Sequence, residues 1–265
     1  MNHRDFLAHR LWGKPGAVPF ILVLIFTGLL VRTSHAQNCV TPPVGLVSWW
    51  AGEGNAADSF GTNNGIVMNK AGFAKGMVGQ AFTFNGVNQY IQIPNNPSLT
   101  PTGSFSIEAW IFVTEDTASS SGEAILSKWG DDQRSYAFTR TYNYELLFAI
   151  SDAAHESDEK FHGFTTPADV LTPDKWQHVA AVYDQATGTR SIYVDGEKVA
   201  SRTDPPLVIF NGSSLVGIGA HAWTVGSRSE SYFNGQIDEV SFYKVALTPA
   251  QIQAIFRAGP SGKCR

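Results

Sequence analysis

Between Phe105 and Val113 the chain keeps a strict two-residue rhythm. Phe105, Ile107, Ala109, Ile111 and Val113 fall on one side, and Ser106, Glu108, Trp110 and Phe112 on the other. A period of two is the mark of a strand with one face turned to a core. Shorter strand signals precede it at Leu46–Trp50, Gln80–Phe84 and Tyr90–Ile93, and others follow at Ala124–Ser127, Ser135–Phe138, Glu145–Ile150, Trp176–Tyr183, Arg190–Val194, Lys198–Ala200 and Leu215–Gly219. Turn chemistry separates them: Asn85–Gln89 reads as a hairpin-like turn, and Asp195-Gly196 is a strong two-residue hairpin signal. No long helical periodicity appears after the N-terminal stretch. The expectation is one all-β domain over residues 37–265, within the size that a single sandwich reaches.

The first 36 residues read as a targeting segment. Arg4, Arg10 and Lys14 give a basic lead, Ala17–Val31 is an apolar run broken by Pro19 and Gly28, and Ser34-His35-Ala36 fits a cleavage site before Gln37. An uncleaved single-span anchor is the other reading of the same run. The leader holds four of the 19 Lys/Arg and one of the 23 Asp/Glu, so the remainder is acidic by about seven charges and lacks the basic surface that nucleic acid or an anionic membrane requires. A secreted protein, extracellular or periplasmic, is expected. Cys39 and Cys264 are the two cysteines and bracket the whole domain. In an oxidising compartment they invite one bridge, whose loop closure is worth up to about 5 kcal/mol; two free thiols or a metal-binding pair are the alternatives.

The closing segment is the most informative. Phe233–Tyr243 (FNGQIDEVSFY) reads as a last strand with Asp238 set among apolar residues. Such a carboxylate must be hydrogen-bonded, solvent-facing or cation-bound. Thr248-Pro249-x-Gln251 then carries N-cap, first-turn proline and capping-box positions of a short helix, with Gly259 as its stop.

Taken with Leu46–Trp50, Ala57–Gly61, Asn63–Gly65, Gln80–Gly86, Ser104–Ile111, Trp176–Ala180 and Ile192–Gly196, this segment resembles the laminin G-like jelly-roll domains of the concanavalin A-like lectin/glucanase superfamily. The matches run in order over nearly all of residues 37–265. The resemblance implies a two-sheet antiparallel jelly-roll sandwich with a short C-terminal helix, loops at its rim and a concave ligand face. A jelly roll also brings its first and last strands together, which agrees with a Cys39–Cys264 bridge. Because the fold serves sugar binders, protein binders and accessory domains of hydrolases, it does not settle function.

Two sites follow as expectations. The resemblance implies a structural calcium held by Asp238, with Asp58 and the Asn63–Asn64 loop as neighbours; calcium takes six to eight hard oxygens. The bland alternative is that Asp238 accepts backbone hydrogen bonds and Asp58 caps a turn. Two loop clusters pair an aromatic with polar groups, as glycan sites do: Trp129 with Asp131, Asp132 and Arg134, and His221 with Trp223. Covering the sandwich edge is the alternative role of both tryptophans. The Asp152–His162 stretch, with His155, Glu156, Asp158 and Glu159, reads as a solvated acidic loop, and Trp110, Trp176 and His178 as packed strand residues. No alternating carboxylate strand of the glucanase kind is present, nor a Gly-x-Ser-x-Gly elbow, phosphate loop or His-Glu-x-x-His helix. A non-catalytic secreted module is therefore expected, binding a glycan through rim loops or, as the alternative class, a protein partner.

Overall fold

The computed structural model describes residues 39–114, 122–130, 133–152, 161–222 and 231–265. Its strands are β1 (Leu46–Trp50), β2 (Ile66–Met68), β3 (Gly72–Lys75), β4 (Gln80–Asn85), β5 (Tyr90–Ile93), β6 (Phe105–Val113), β7 (Glu123–Lys128) and β8 (Tyr136–Arg140). They continue with β9 (Leu146–Ser151), β10 (Phe161–Thr165), β11 (Trp176–Asp184), β12 (Thr189–Val194), β13 (Glu197–Thr203), β14 (Val216–Ile218) and β15 (Asn234–Tyr243), and helix α1 spans Pro249–Ala258. One sheet runs β13-β12-β11-β6-β15-β4-β3 with β1 added to β15, and the other runs β10-β9-β8-β7-β14-β5-β2. All pairings within both sheets are antiparallel. This is the expected jelly-roll sandwich with a short C-terminal helix.

The core lies between the sheets. The odd residues of β6 from Phe105 to Val113 all enter it, as their alternation requires, and are at most 1% exposed. Phe105 is its centre, its ring 5.4 Å from Tyr136, 5.8 Å from Phe148, 6.0 Å from Tyr183 and 5.8 Å from Phe242. Burying each such ring contributes about 1.5–3 kcal/mol.

The first sheet is covered on its outer face as well. Helix α1 starts as its sequence requires. The Thr248 hydroxyl accepts the Gln251 N–H at 3.3 Å, the Gln251 side chain accepts the Thr248 N–H at 2.8 Å, and Pro249 fills the first turn. Its Ile252 and Ile255 pack on Leu46, Trp49, Ala180, Val182, Tyr193 and Tyr243. The chain beyond the helix returns beside the domain's first residues. Val40 donates to Gly262 and Cys264 donates to Val40, each at 2.9 Å, and Cys39 and Cys264 form the expected disulfide, with Cα atoms 5.0 Å apart.

Two expectations change. Asn85–Gln89 does not close a hairpin: β4 pairs with β3 and β15, whereas β5 lies in the other sheet beside β14 and β2. The turn chemistry is real, because the Asn85 side-chain oxygen accepts the N–H groups of Val87, Asn88 and Gln89 at 3.0, 3.2 and 3.3 Å. Here it carries the chain across the sandwich, since side-chain-to-backbone bonds turn the chain whether or not a ladder follows. The stretch read as one acidic loop through His162 also ends earlier. Phe161 and His162 open β10, which pairs along β9, and Asp152 forms a bridge with Ile209. The remainder, with His155, Glu156, Asp158 and Glu159, lies outside the described residues. So do residues 1–36, Asp131, Asp132 and Trp223.

Candidate functional site

Along β7 and β8, Leu126 and Phe138 enter the core, so the alternate pair Ser127 and Ala137 faces outward. Ser127 stands opposite Gly217 of β14. That glycine is needed: a Cβ there would lie 2.2 Å from the Ala220 carbonyl oxygen and 3.0 Å from the Ala222 methyl. The freed space lets the chain fold back over the sheet. Gly219 makes the turn with φ +80°, a backbone conformation that glycine adopts without steric cost. The Ala220 carbonyl then sits 3.3 Å from the Ser127 hydroxyl, and His221 Nδ1 sits 2.9 Å from that same oxygen.

This fold-back joins two clusters that are some ninety residues apart in sequence. The His221 ring lies 6.4 Å from Trp129, tilted by 32°, and the Arg134 guanidinium lies 5.5 Å from the indole centroid. All three side chains are half-buried. Of the residues expected to bind a ligand, Trp129, Arg134 and His221 thus come together. The same turn's Ala220 and Ala222 pack with Tyr90 and Tyr232, whose rings are 6.1 Å apart. Burial, with the Arg134 charge nearby, pushes the His221 imidazolium down to about 4, so the ring is neutral at physiological pH.

The loop that presents Trp129 is tied down from below. The Ser213 N–H donates to the Gln133 side chain at 2.9 Å and the Ser214 hydroxyl to the Gln133 carbonyl at 2.5 Å. Lys128 is fully buried and donates to Thr100 Oγ1 at 3.2 Å and to the Gly212 carbonyl, and burial lowers its ammonium to about 8. Ser127, Lys128, Tyr90 and Tyr232 were not singled out from sequence. Gly217 opposite an outward serine was the available clue, but only the register reveals it.

The two aspartates assigned to calcium have separate surroundings. Asp58 is a turn organiser: Oδ1 accepts from Trp49, Phe60 and Gly61 at 2.9, 3.1 and 2.8 Å, and Oδ2 accepts from Asn63 at 3.0 Å. Three of these four N–H donors reach Oδ1 and one reaches Oδ2. Asp238 lies at a bulge in β15 where Glu239 has φ +58°, which turns consecutive carboxylates to the outer face. Its Oδ2 accepts the Val78 N–H at 2.9 Å, its Oδ1 has no hydrogen-bond partner among the described residues, and burial pushes the group up to about 8. No group of three or more His, Cys, Asp or Glu suited to a metal occurs among the described residues.

Near Asp238, under the C-terminal segment, lies a buried ionic knot. Lys263 Nζ is 3.0 Å from Glu108 Oε1 and 3.2 Å from Glu239 Oε2, and His178 Nε2 is 3.1 Å from Glu108 Oε2. Tyr243 adds a hydroxyl donor to Glu108 at 3.3 Å. Burial alone would raise Glu108, yet Lys263 and His178 outweigh it and hold the carboxyl at about 2.

The sequence profile of the Laminin_G_3 family matches residues 85–253. The chain belongs to the concanavalin A-like lectin/glucanases superfamily. A sequence search finds no similar curated protein. Among solved structures, this superfamily member is similar to the binding domain of Paraclostridial Mosquitocidal Protein 1, with 17% identity, a TM-score of 0.64, and coverage of 80% of this chain and 52% of that one. The botulinum neurotoxin serotype D binding domain gives 14%, 0.62, 80% and 51% in the same order. Domain 4 of AbnA, an extracellular GH43 arabinanase from Geobacillus stearothermophilus solved with arabinotriose, gives 19%, 0.60, 78% and 96%. The chain thus spans about half the length of the toxin binding domains and nearly all of the arabinanase domain. At these identities the likeness shows the fold.

Proposed function

We propose that this protein is an extracellular, non-catalytic recognition module that binds a glycan at the Trp129–Arg134–His221 face. The observation that carries the reading is the fold-back at Gly219, which sets a half-buried imidazole beside a half-buried indole on a fastened loop. An aromatic ring offers an apolar surface to the C–H face of a sugar, and fixed polar atoms around it select the hydroxyls. Support also comes from the arabinanase domain of the same fold, solved with arabinotriose, which covers nearly the same length. Secretion belongs to the reading through the leader-like segment 1–36 and the disulfide, a bond of oxidising compartments. Among the described residues no helix is long and apolar enough to cross a membrane.

Calcium belongs to the reading at Asp238, whose Oδ1 lacks a hydrogen-bond partner among the described residues. A calcium titration followed by melting temperature tests it. A rise that Asp238→Asn abolishes supports the cation, and an unchanged melting temperature in calcium and in EDTA removes it.

Glycan-array binding of the purified protein tests the main reading. Reproducible hits that vanish in Trp129→Ala support it. A blank array from folded, disulfide-bonded protein contradicts it and turns the search to a protein partner.

A further inference from the structure

We propose that Ser127 is a positioning residue that holds His221 as its Nδ1–H tautomer, making Nε2 the acceptor for a hydroxyl of a sugar bound beside Trp129. This rests on the glycan reading of the same site and names what that site asks of its ligand.

The number of hydrogens at this contact fixes the tautomer. Ser127 Oγ has two close polar neighbours, His221 Nδ1 at 2.9 Å and the Ala220 carbonyl oxygen at 3.3 Å. A hydroxyl has one hydrogen to give, a carbonyl oxygen only accepts, and an imidazole nitrogen does either according to tautomer. Ser127 and Ala220 are both fully buried, and buried carbonyls require a donor. One arrangement satisfies all three groups: Nδ1–H donates to the serine oxygen, and the serine hydrogen goes to Ala220. The reverse arrangement spends that hydrogen on Nδ1 and takes from the Ala220 carbonyl its hydroxyl donor. A neutral imidazole protonated at Nδ1 carries its lone pair at Nε2.

The ring keeps that lone pair across the physiological range, because burial and the Arg134 charge both oppose its protonation. A neutral acceptor takes a hydroxyl hydrogen. The Trp129 indole beside it supplies the apolar contact. Together these describe a sugar with a donor hydroxyl next to an exposed C–H face. Sequence reading found Trp129 and His221 but not Ser127, whose role depends on the fold-back over Gly217.

Long-range 1H–15N correlation spectra of the full chain labelled at histidine nitrogen report the tautomer without any ligand. Native His221 is expected to show a protonated Nδ1 and an unprotonated Nε2. Ser127→Ala is expected to move it toward Nε2–H, the form the free histidine side chain favours in water, and Ser127→Thr to restore the native pattern. On an oligosaccharide array, the hits are expected to weaken about tenfold or more in Ser127→Ala and to recover in Ser127→Thr, at matched melting temperatures. Native His221 protonated at Nε2 overturns the role of Ser127 whatever the array shows. A flipped tautomer with unchanged binding overturns the acceptor role while leaving the glycan reading intact. A blank array with Nδ1–H established overturns the glycan reading, and the ligand class with it, but not the positioning of His221.

Discussion

Two tryptophans in this molecule each carry a cation over the ring, yet their surroundings do opposite things. Trp49 is 3% exposed, with Lys263 at 5.1 Å and Arg265 at 5.6 Å from its centroid. Those cations are engaged elsewhere too: Lys263 on Glu108 and Glu239, and Arg265 on Glu53 at 3.3 Å. Trp129 has Arg134 at 5.5 Å and His221 at 6.4 Å, all half-buried. The first region uses its charges to fasten the C-terminal segment to a sheet. The second keeps an aromatic surface and a neutral imidazole at partial exposure. An aromatic–cation pair is therefore no sign of a ligand site by itself; exposure and the state of its polar partners decide.

The contrast can be broken most forcefully at Lys263. Lys263→Met leaves Glu108 and Glu239 buried without their cation, which costs about 3–5 kcal/mol and is read by denaturant unfolding. Replacing both cysteines with serine frees the same segment and costs about 2–5 kcal/mol, read by the same transition. Either variant with native stability would place the C-terminal clasp outside the fold's energetics. Trp129→Ala should do the reverse. Its stability cost is expected to stay near or below about 1 kcal/mol, while glycan affinity falls about tenfold or more.

Acid sharpens the comparison further. Glu108 is held at about 2 in the fold, below its ordinary unfolded value, so its contribution is complete above the ordinary carboxylate range and is lost as pH falls through that range toward about 2. Lys263→Met should remove this part of the acid dependence. His221 is held down to about 4, so binding should be flat from pH 8 to about 5 and decline only as the ring takes a proton near about 4. That is the smallest effect, and a midpoint near the ordinary histidine value would contradict the half-buried, neutral ring.

Much of this was readable in the chain because the signals were local. The alternation of β6, the Asp195-Gly196 hairpin and the Thr248–Gln251 cap each act within a few residues, and each stands where expected. The pairing of Cys39 with Cys264 followed from there being two. Asn85–Gln89 misled because an asparagine turn fixes the local bend but not the sheet that the next strand joins. Trp129 and His221 were recognised separately by composition, and only the β7–β14 register brings them into contact. Asp58 left two readings open, because carboxylates that bind N–H groups and those that bind calcium are the same in sequence. Lys263 and Glu239 went unnoticed because their partnership with Glu108 spans the whole domain.

The central claim is that recognition resides at Trp129 and His221, not at the clasped Trp49 region. Its most direct test is glycan-array binding by native protein, Trp129→Ala and Lys263→Met, with melting temperatures measured in parallel. Hits are expected to be retained by folded Lys263→Met despite its lower melting temperature, and lost by Trp129→Ala at a nearly native one. Hits that survive Trp129→Ala, or that vanish in folded Lys263→Met, would contradict it.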